Sequence, residues 1–271
     1  MNTSAIRRLR EKLKADQPTY GLWVTLESPS ITEIAVALGL DWVVIDAEHG
    51  SLDWQQIVQH IRAAVRSGTV IVVRLAEMNI GLVKRALDIG ADGIAAPFID
   101  TADQLRQLLA YAQYPPAGVR AVGGDRATVW GQCLSEHVSE ANEHVIVLPN
   151  IETVRARQNI DNIAKVEGVD TFFLGPADYS ASAGYAGQWQ GPGVAEQLLE
   201  INSAIRAQGK YCGVIATDDQ DVVRRRDQGF RLIALGVDTG LLARGLKSGL
   251  ASVGRLSKFS TSLTAVPDPA T

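Results

Sequence analysis

A small set of polar residues stands at the end of, or directly behind, short apolar runs. Asp46 ends the run Trp42–Asp46, and Glu48 and His49 follow it in Ile45-Asp46-Ala47-Glu48-His49-Gly50. Arg74 ends Val70–Arg74, Asn150 and Glu152 follow Val145–Pro149, and Gly175, Ala177 and Asp178 follow Thr171–Leu174. Singly, each has an ordinary use: Asp178 could cap a helix, the histidine could be structural, and the arginine could be half of an ion pair. Glu152 and Asp178 together suit a hard cation such as magnesium or manganese, which takes oxygen ligands and often only one or two carboxylates. A 2-oxo acid could supply two further oxygens. Zinc is less natural, because no Cys/His cluster has its spacing and His60, His137 and His144 fall on predicted helices or just before a strand. Imine chemistry would need a lysine at a strand end. Lys210 starts a strand, and Lys12, Lys14, Lys84, Lys165, Lys247 and Lys258 end none. No Gly-x-x-x-x-Gly-Lys loop is present, which argues against nucleotide hydrolysis.

The elements that must position these groups alternate along the chain. Tyr20–Leu26, Trp42–Asp46, Val70–Arg74, Gly93–Pro97, Val145–Pro149, Thr171–Leu174, Tyr211–Ile215 and Leu232–Leu235 are short and apolar on both faces. Parallel strands covered on both sides have that pattern. Between them, segments such as Trp54–Ser67, Ile80–Ile89, Ala102–Tyr111, Val154–Ile163 and Val194–Gln208 carry apolar residues at helical spacing. Eight such strands predict an α/β fold of the (β/α)8 TIM-barrel type, for which about 250 residues suffice. An open doubly wound sheet is the alternative, but no Gly-x-Gly-x-x-Gly turn follows the first strand. The expected organisation is an N-terminal helical segment over 1–19, a barrel over 20–252 and a flexible tail over 253–271. In a barrel, all the singled-out groups would converge on the C-terminal mouth. Two long segments, Tyr114–Trp130 and Tyr185–Gly193, read as loops over the site or as surface insertions. Leu235–Gly240 reads as an anion-binding helix start or a tight strand–helix turn, with the turn preferred.

With 271 residues, a net charge of −4 and 46% hydrophobic residues, the composition is that of an ordinary folded domain. No basic patch points to nucleic acid, and no run of about 18 apolar residues points to a membrane. The charged N-terminus has no secretory h-region. Cys133 and Cys212 lack metal spacing and suit a reducing, cytoplasmic compartment without a disulfide.

Several segments resemble the HpcH/HpaI family. They are Leu22-Trp23, Asp41–His49, Tyr114–Arg120, Ile151–Thr153, Val166–Asp170, Leu174–Ser180 and Gly236–Thr239, and together they place the resemblance over about residues 20–250. The family includes class II pyruvate aldolases of the 4-hydroxy-2-oxoheptanedioate aldolase type and macrophomate synthase. The resemblance implies a phosphoenolpyruvate/pyruvate-type barrel and a carbon–carbon lyase. Such an enzyme cleaves 4-hydroxy-2-oxo acids to pyruvate and an aldehyde through a pyruvate enolate at a divalent metal (Mg2+, Mn2+ or Co2+). Oxaloacetate decarboxylation, enolate trapping as in macrophomate synthase, and non-catalytic oxo-acid binding are the alternatives. By the same resemblance Glu152 and Asp178 hold the metal, Arg74 stabilises the enolate oxygen, and Asp46 and His49 form a proton-moving dyad. The substrate carboxylate meets amides at Gly175, Ala177 and Asp178, and Trp23 and Ile215 are candidate walls for the aldehyde half. A homo-hexamer is implied, with Asp88 supplied from a neighbouring subunit. Two departures bear on the aldehyde half: Asn150 stands where the family commonly has Gln, and the loop 121–126 carries Asp125 and Arg126.

Overall fold

A computed structural model describes residues 1–189 and 191–255. Eight parallel strands close into a barrel in sequential order. They are β1 (Thr19–Val24), β2 (Trp42–Asp46), β3 (Val70–Arg74), β4 (Gly93–Ala96), β5 (Ile146–Ile151), β6 (Thr171–Leu174), β7 (Tyr211–Ile215) and β8 (Leu232–Val237). The chain is thus the expected TIM barrel. The helices around it are α2 (Ser30–Ala37), α3 (Trp54–Ala63), α4 (Ile80–Asp88), α5 (Ala102–Ala112), α6 (Leu134–His144), α7 (Val154–Gln158), α8 (Ile160–Ala164), α9 (Pro176–Ser182), α10 (Val194–Ala207), α11 (Asp219–Asp227) and α12 (Asp238–Ser252). They follow α1 (Thr3–Lys14).

Alternation within the strands divides the core. One set of side chains, including Val43, Ile45, Ile71, Val73, Ile94 and Val147, packs outward against the helices. The other set, including Trp42, Val44, Val70, Val72, Leu148 and Phe173, fills the barrel interior. The interior is closed at its N-terminal end by α1, whose Ala5, Ile6, Leu9 and Leu13 fall on one face and join the interior cluster. Asn2 caps this helix by accepting from the Ala5 N–H, and its amide nitrogen donates to the Ser67 carbonyl just before β3. Gly21 is needed for the same packing, because a Cβ there would lie 2.1 Å from the Trp42 ring.

Several boundaries differ from the sequence expectation. β5 runs on to Ile151, so Asn150 lies within a strand, paired in register with Phe173 of β6. The helix expected over Val154–Ile163 is two short ones, α7 and α8, broken at Asn159. Leu235–Gly240 is the tight connection: α12 begins at Asp238, directly after β8. The segment Tyr114–Trp130 does not overhang the mouth of its own barrel. It leaves the C-terminal end of α5 and lies at the N-terminal end of the barrel, where Arg126 donates to the Ile89 carbonyl behind α4 and Tyr114 pairs with Asn142 of α6. The geometry follows from α5, which must run from the mouth back to the base before β5 can start. The second long segment, Tyr185–Gly193, falls between α9 and α10, and its residue 190 lies outside the described residues. Part of the tail expected beyond 252 lies outside the described residues. Both cysteines are free thiols, Cys212 buried and Cys133 exposed.

Two predictions test the base. Leu13→Ala removes a fully buried part of the α1 plug and should lower the free energy of unfolding by about 2–5 kcal/mol in a denaturant titration. His137 packs edge-on against Tyr114 at 6.0 Å, and burial pushes its titration down from 6.5 to about 4. The ring is therefore neutral in the fold but takes a proton in the unfolded chain. Its contribution to stability is present above about 6.5 and is lost as pH falls towards 4. Denaturant titrations across that window should show a shallower loss in His137→Phe than in the wild-type protein.

Candidate active site

The register of the barrel assembles the site. Asp46 of β2 and Arg74 of β3 are direct partners across the two strands, both at the last position. Glu152 follows β5 immediately, and Gly175 follows β6, its N–H donating to the Ile151 carbonyl. The guanidinium of Arg74 is buried and reaches three carboxylates. Nη1 lies 3.3 Å from Asp46 Oδ2, and Nη2 lies 2.6 Å from Glu48 Oε2 and 3.1 Å from Glu152 Oε1. Its Nε is buried and unpartnered, and its Cζ lies 5.6 Å from the centre of the Trp23 ring.

Each carboxylate has its own surroundings. Asp46 Oδ1 accepts from the backbone N–H groups of Glu48 (2.9 Å) and His49 (3.1 Å). Its Oδ2 accepts from Trp23 Nε1 (2.8 Å) as well as from Arg74. Glu152 Oε1 accepts from Asn150 Nδ2 at 3.1 Å, and Oε2 from the Phe98 N–H at 3.1 Å. Even so, burial pushes its carboxyl above the usual range, opposed by Arg74 and helped by Asp178. Glu48 is also pushed up by burial, against the pull of Arg74. Asp178 stands half-buried in the first turn of α9, behind Pro176 at the helix start, and its side chain does not cap that helix.

Asp46, Glu48, Arg74, Asn150, Glu152, Gly175 and Asp178 are therefore brought to one mouth. The side-chain contact expected between Asp46 and His49 is absent: Asp46 is buried and accepts from Trp23, Arg74 and the backbone N–H groups of Glu48 and His49, while the His49 side chain is 61% exposed, with Nε2 3.9 Å from Glu48 Oε1. Trp23 is placed beneath the candidate site. It is buried below the mouth, bonded to Asp46 and packed at 4.8 Å on Phe173. Ile215, half-buried, does end β7 among the interior residues. Asp88 and the pair Asp125–Arg126 lie at the other end of the barrel. Asp88 is neither free nor simply facing water, because the buried guanidinium of Arg120 holds its Oδ1 at 2.9 Å.

Two residues with no assigned role in the sequence prove central. Glu48 sits inside the quoted segment, but alternation gave no reason to turn it inward. Phe98 holds Glu152 through its backbone, in a left-handed conformation (φ 54°) that a bulky side chain rarely adopts. Gly175 has a steric reason: a Cβ would lie 2.6 Å from both Cγ and Oε1 of Glu152.

The description HpcH/HpaI aldolase/citrate lyase matches residues 19–245. The chain belongs to that family. It is accordingly a carbon–carbon lyase. Among its relatives, the 2-keto-3-deoxy-L-rhamnonate aldolase of Salmonella gallinarum is 36% identical over 263 residues, 96% of this chain and 98% of the relative. The 4-hydroxy-2-oxo-heptane-1,7-dioate aldolase of Salmonella arizonae is 36% identical, over 93% of this chain and 96% of the relative. A solved family structure from Burkholderia cenocepacia superposes with a TM-score of 0.87 at 34% identity, covering 93% of this chain and 99% of that one.

In this family member, Gly175→Ala should fold with a modest loss of stability, about 1–3 kcal/mol for overpacking. Displacement of Glu152 by an ångström or so should cut turnover about a hundredfold, as misplaced reacting groups do. Steady-state kinetics beside a thermal melt would separate the two effects.

Proposed function

We propose that the protein cleaves 4-hydroxy-2-oxo acids to pyruvate and an aldehyde with the help of a divalent cation. The observation that carries this reading is the charge balance at the mouth. Asp46, Glu48 and Glu152 share a single fixed cation, Arg74, while Asp178 adds further negative charge near Glu152, and burial disfavours the charged form of Glu152. An all-oxygen set with surplus negative charge fits a hard cation such as Mg2+, Mn2+ or Co2+. Glu152 and Asp178 would hold it, leaving other positions for water and substrate. Among the described residues no group of three or more His, Cys, Asp or Glu side chains is placed to hold a metal ion by itself. When bound, the cation supplies Lewis-acid polarisation of the substrate's oxo group.

The chain's own residues do the rest. Arg74, whose Nε–H is unpartnered, would stabilise the oxygen on C2, where negative charge develops. Amides at Gly175 and Ala177 orient the substrate carboxylate, and Asn150 steadies Glu152. His49, the exposed imidazole at the mouth, takes the proton from the C4 hydroxyl. The C3–C4 bond then breaks, its electron pair passes into the enolate, and C3 is protonated to give pyruvate. Ile215 borders the aldehyde half.

A homo-hexamer suits the distribution of apolar surface. α12 leaves Leu242 and Leu246 more than half exposed. Asp88, at the base of its own barrel, could reach a mouth only in another copy. Free thiols at both cysteines accord with a cytoplasmic setting, and among the described residues no helix is long and apolar enough to cross a membrane.

The test is pyruvate release from a panel of 4-hydroxy-2-oxo acids and oxaloacetate, using metal-stripped protein with and without Mg2+, Mn2+ or Co2+. Restored cleavage, lost by about a hundredfold or more in Glu152→Ala, is the expected result. Turnover of oxaloacetate alone, or metal-independent turnover, would overturn the proposal.

A further inference from the structure

We propose that Phe98 sets specificity for the aldehyde half of the substrate, its ring offering the surface on which an apolar chain at C4 packs. The proposal rests on the lyase reading of the mouth and names the class of acid this mouth would prefer: 4-hydroxy-2-oxo acids whose C4 substituent is alkyl or aryl and uncharged.

Phe98 lies in the connection from β4 to α5, at the C-terminal end of the barrel, where such connections build the site. The chain around it is held at two successive N–H groups. Its own donates to Glu152 Oε2 at 3.1 Å, and that of Ile99 donates to the Asn150 carbonyl at 3.2 Å. Every residue from Ala91 to Ile99 is buried except Phe98, which is 48% exposed. Pro97 and Ile99 therefore go into the protein, while the ring between them stands out of it.

That placement is unfavourable in two ways. A half-exposed ring forgoes much of the apolar burial that normally keeps a phenylalanine in a fold. The backbone at Phe98 is also left-handed (φ 54°), where a bulky L side chain is crowded against the carbonyl oxygen. Glycine or asparagine would make the same two backbone hydrogen bonds with less crowding. The fold thus has little use for the ring, and strain kept at a mouth points to function. What the ring can meet follows from where its backbone is anchored. Its N–H touches the carboxylate proposed to hold the cation, so the ring is carried within a side chain's length of Glu152. The groups beside the pyruvate half are charged or polar: Arg74, Asn150 and Glu152. Phe98 adds an apolar surface to them. Ile215, at the end of β7 and three strands round the barrel, adds another. An alkyl or aryl chain on C4 gains by leaving water between such groups. A carboxylate on the same chain would lose its hydration beside an already acidic cluster.

The test uses the full-length protein with Mn2+ added, beside Phe98→Asn, Phe98→Gly and Phe98→Leu. Pyruvate release is measured from acids carrying hydrogen, methyl, propyl, phenyl or carboxyethyl on C4. Exchange of the pyruvate methyl protons in deuterium oxide gives a reference that involves no aldehyde. In kcat/KM the wild-type protein should favour propyl and phenyl over hydrogen and over carboxyethyl. That preference should fall about tenfold in Phe98→Asn and Phe98→Gly, the low end of what one methylene is worth in an apolar pocket, and Phe98→Leu should keep most of it. A shift of Glu152 would slow the exchange and every acid by a common factor, so the ring is read from the part of the loss that grows with the chain. Thermal melts give a readout free of turnover: Phe98→Asn and Phe98→Gly should melt no lower than the wild-type protein. Equal losses for every acid, a wild-type protein indifferent to the chain, or a marked drop in melting temperature would overturn the assignment and leave the lyase reading standing. Altered sedimentation with the chain preference intact would do the same, by giving the ring to a contact between copies. A wild-type protein that neither exchanges the methyl protons nor cleaves any acid would sink both.

Discussion

One buried guanidinium organises the mouth of this barrel. Arg74 is shared by carboxylates that arrive from the end of β2, from the turn behind it and from the end of β5. Burying such a group is costly unless every charge finds partners, and removing one member leaves the others uncompensated. Arginine suits the post because its rigid planar fork can serve several acceptors at fixed angles, which an ammonium cannot. The neighbours complete the arrangement. Trp23 and two backbone N–H groups satisfy Asp46, while Asn150 and Phe98 satisfy Glu152. The geometry of the acids is therefore set before any substrate arrives.

That geometry was partly legible in the chain. The strand ends could be read from short apolar runs, and once eight of them imply a barrel, Asp46, Arg74, Glu152 and Asp178 must share a mouth. Pairing was not legible. Asp46 and His49 are three residues apart in a turn, and spacing alone allows a contact between them. What decides against it is saturation of Asp46 by donors from Trp23 and Arg74, which are distant in sequence. Trp23 was hard to place for the same reason: an aromatic near a strand end can face the cavity or support its floor, and here an indole N–H bond to a buried carboxylate holds it below. Tyr114–Trp130 was left between two readings because its glycines and prolines mark a loop without saying at which end of the barrel it lies. The direction of α5 supplies that, and direction appears only after the helix is laid on the sheet.

The two ends of the barrel carry different burdens. At the base, α1 inserts a purely apolar face among Trp42, Val70 and Leu232, and its cap ties it to the turn before β3. Within that plug nothing conflicts with folding, although beside it Arg120 and His137 keep buried, unpartnered nitrogens. The mouth has its own conflicts: acids held close together, a buried guanidinium with an unpartnered Nε, and Phe98 in a left-handed conformation. Strain and unsatisfied charge of this kind persist only where the surrounding structure over-determines them. The plugged, well-packed base is what allows the mouth to remain so.

The excess of negative charge at the mouth also constrains how a proton can move there. A carboxylate buried beside other carboxylates is disfavoured in its charged form, which is the direction seen for both Glu48 and Glu152. If either released a proton and stayed charged without a compensating cation, the cluster would become harder to hold together. An exposed imidazole avoids that cost, since it exchanges its proton with solvent and becomes cationic, not anionic, when it takes one up. On the proposed reading, His49 is therefore placed where its transient charge lowers the repulsion among the acids. The buried carboxylates need only hold position while the ring does the exchange.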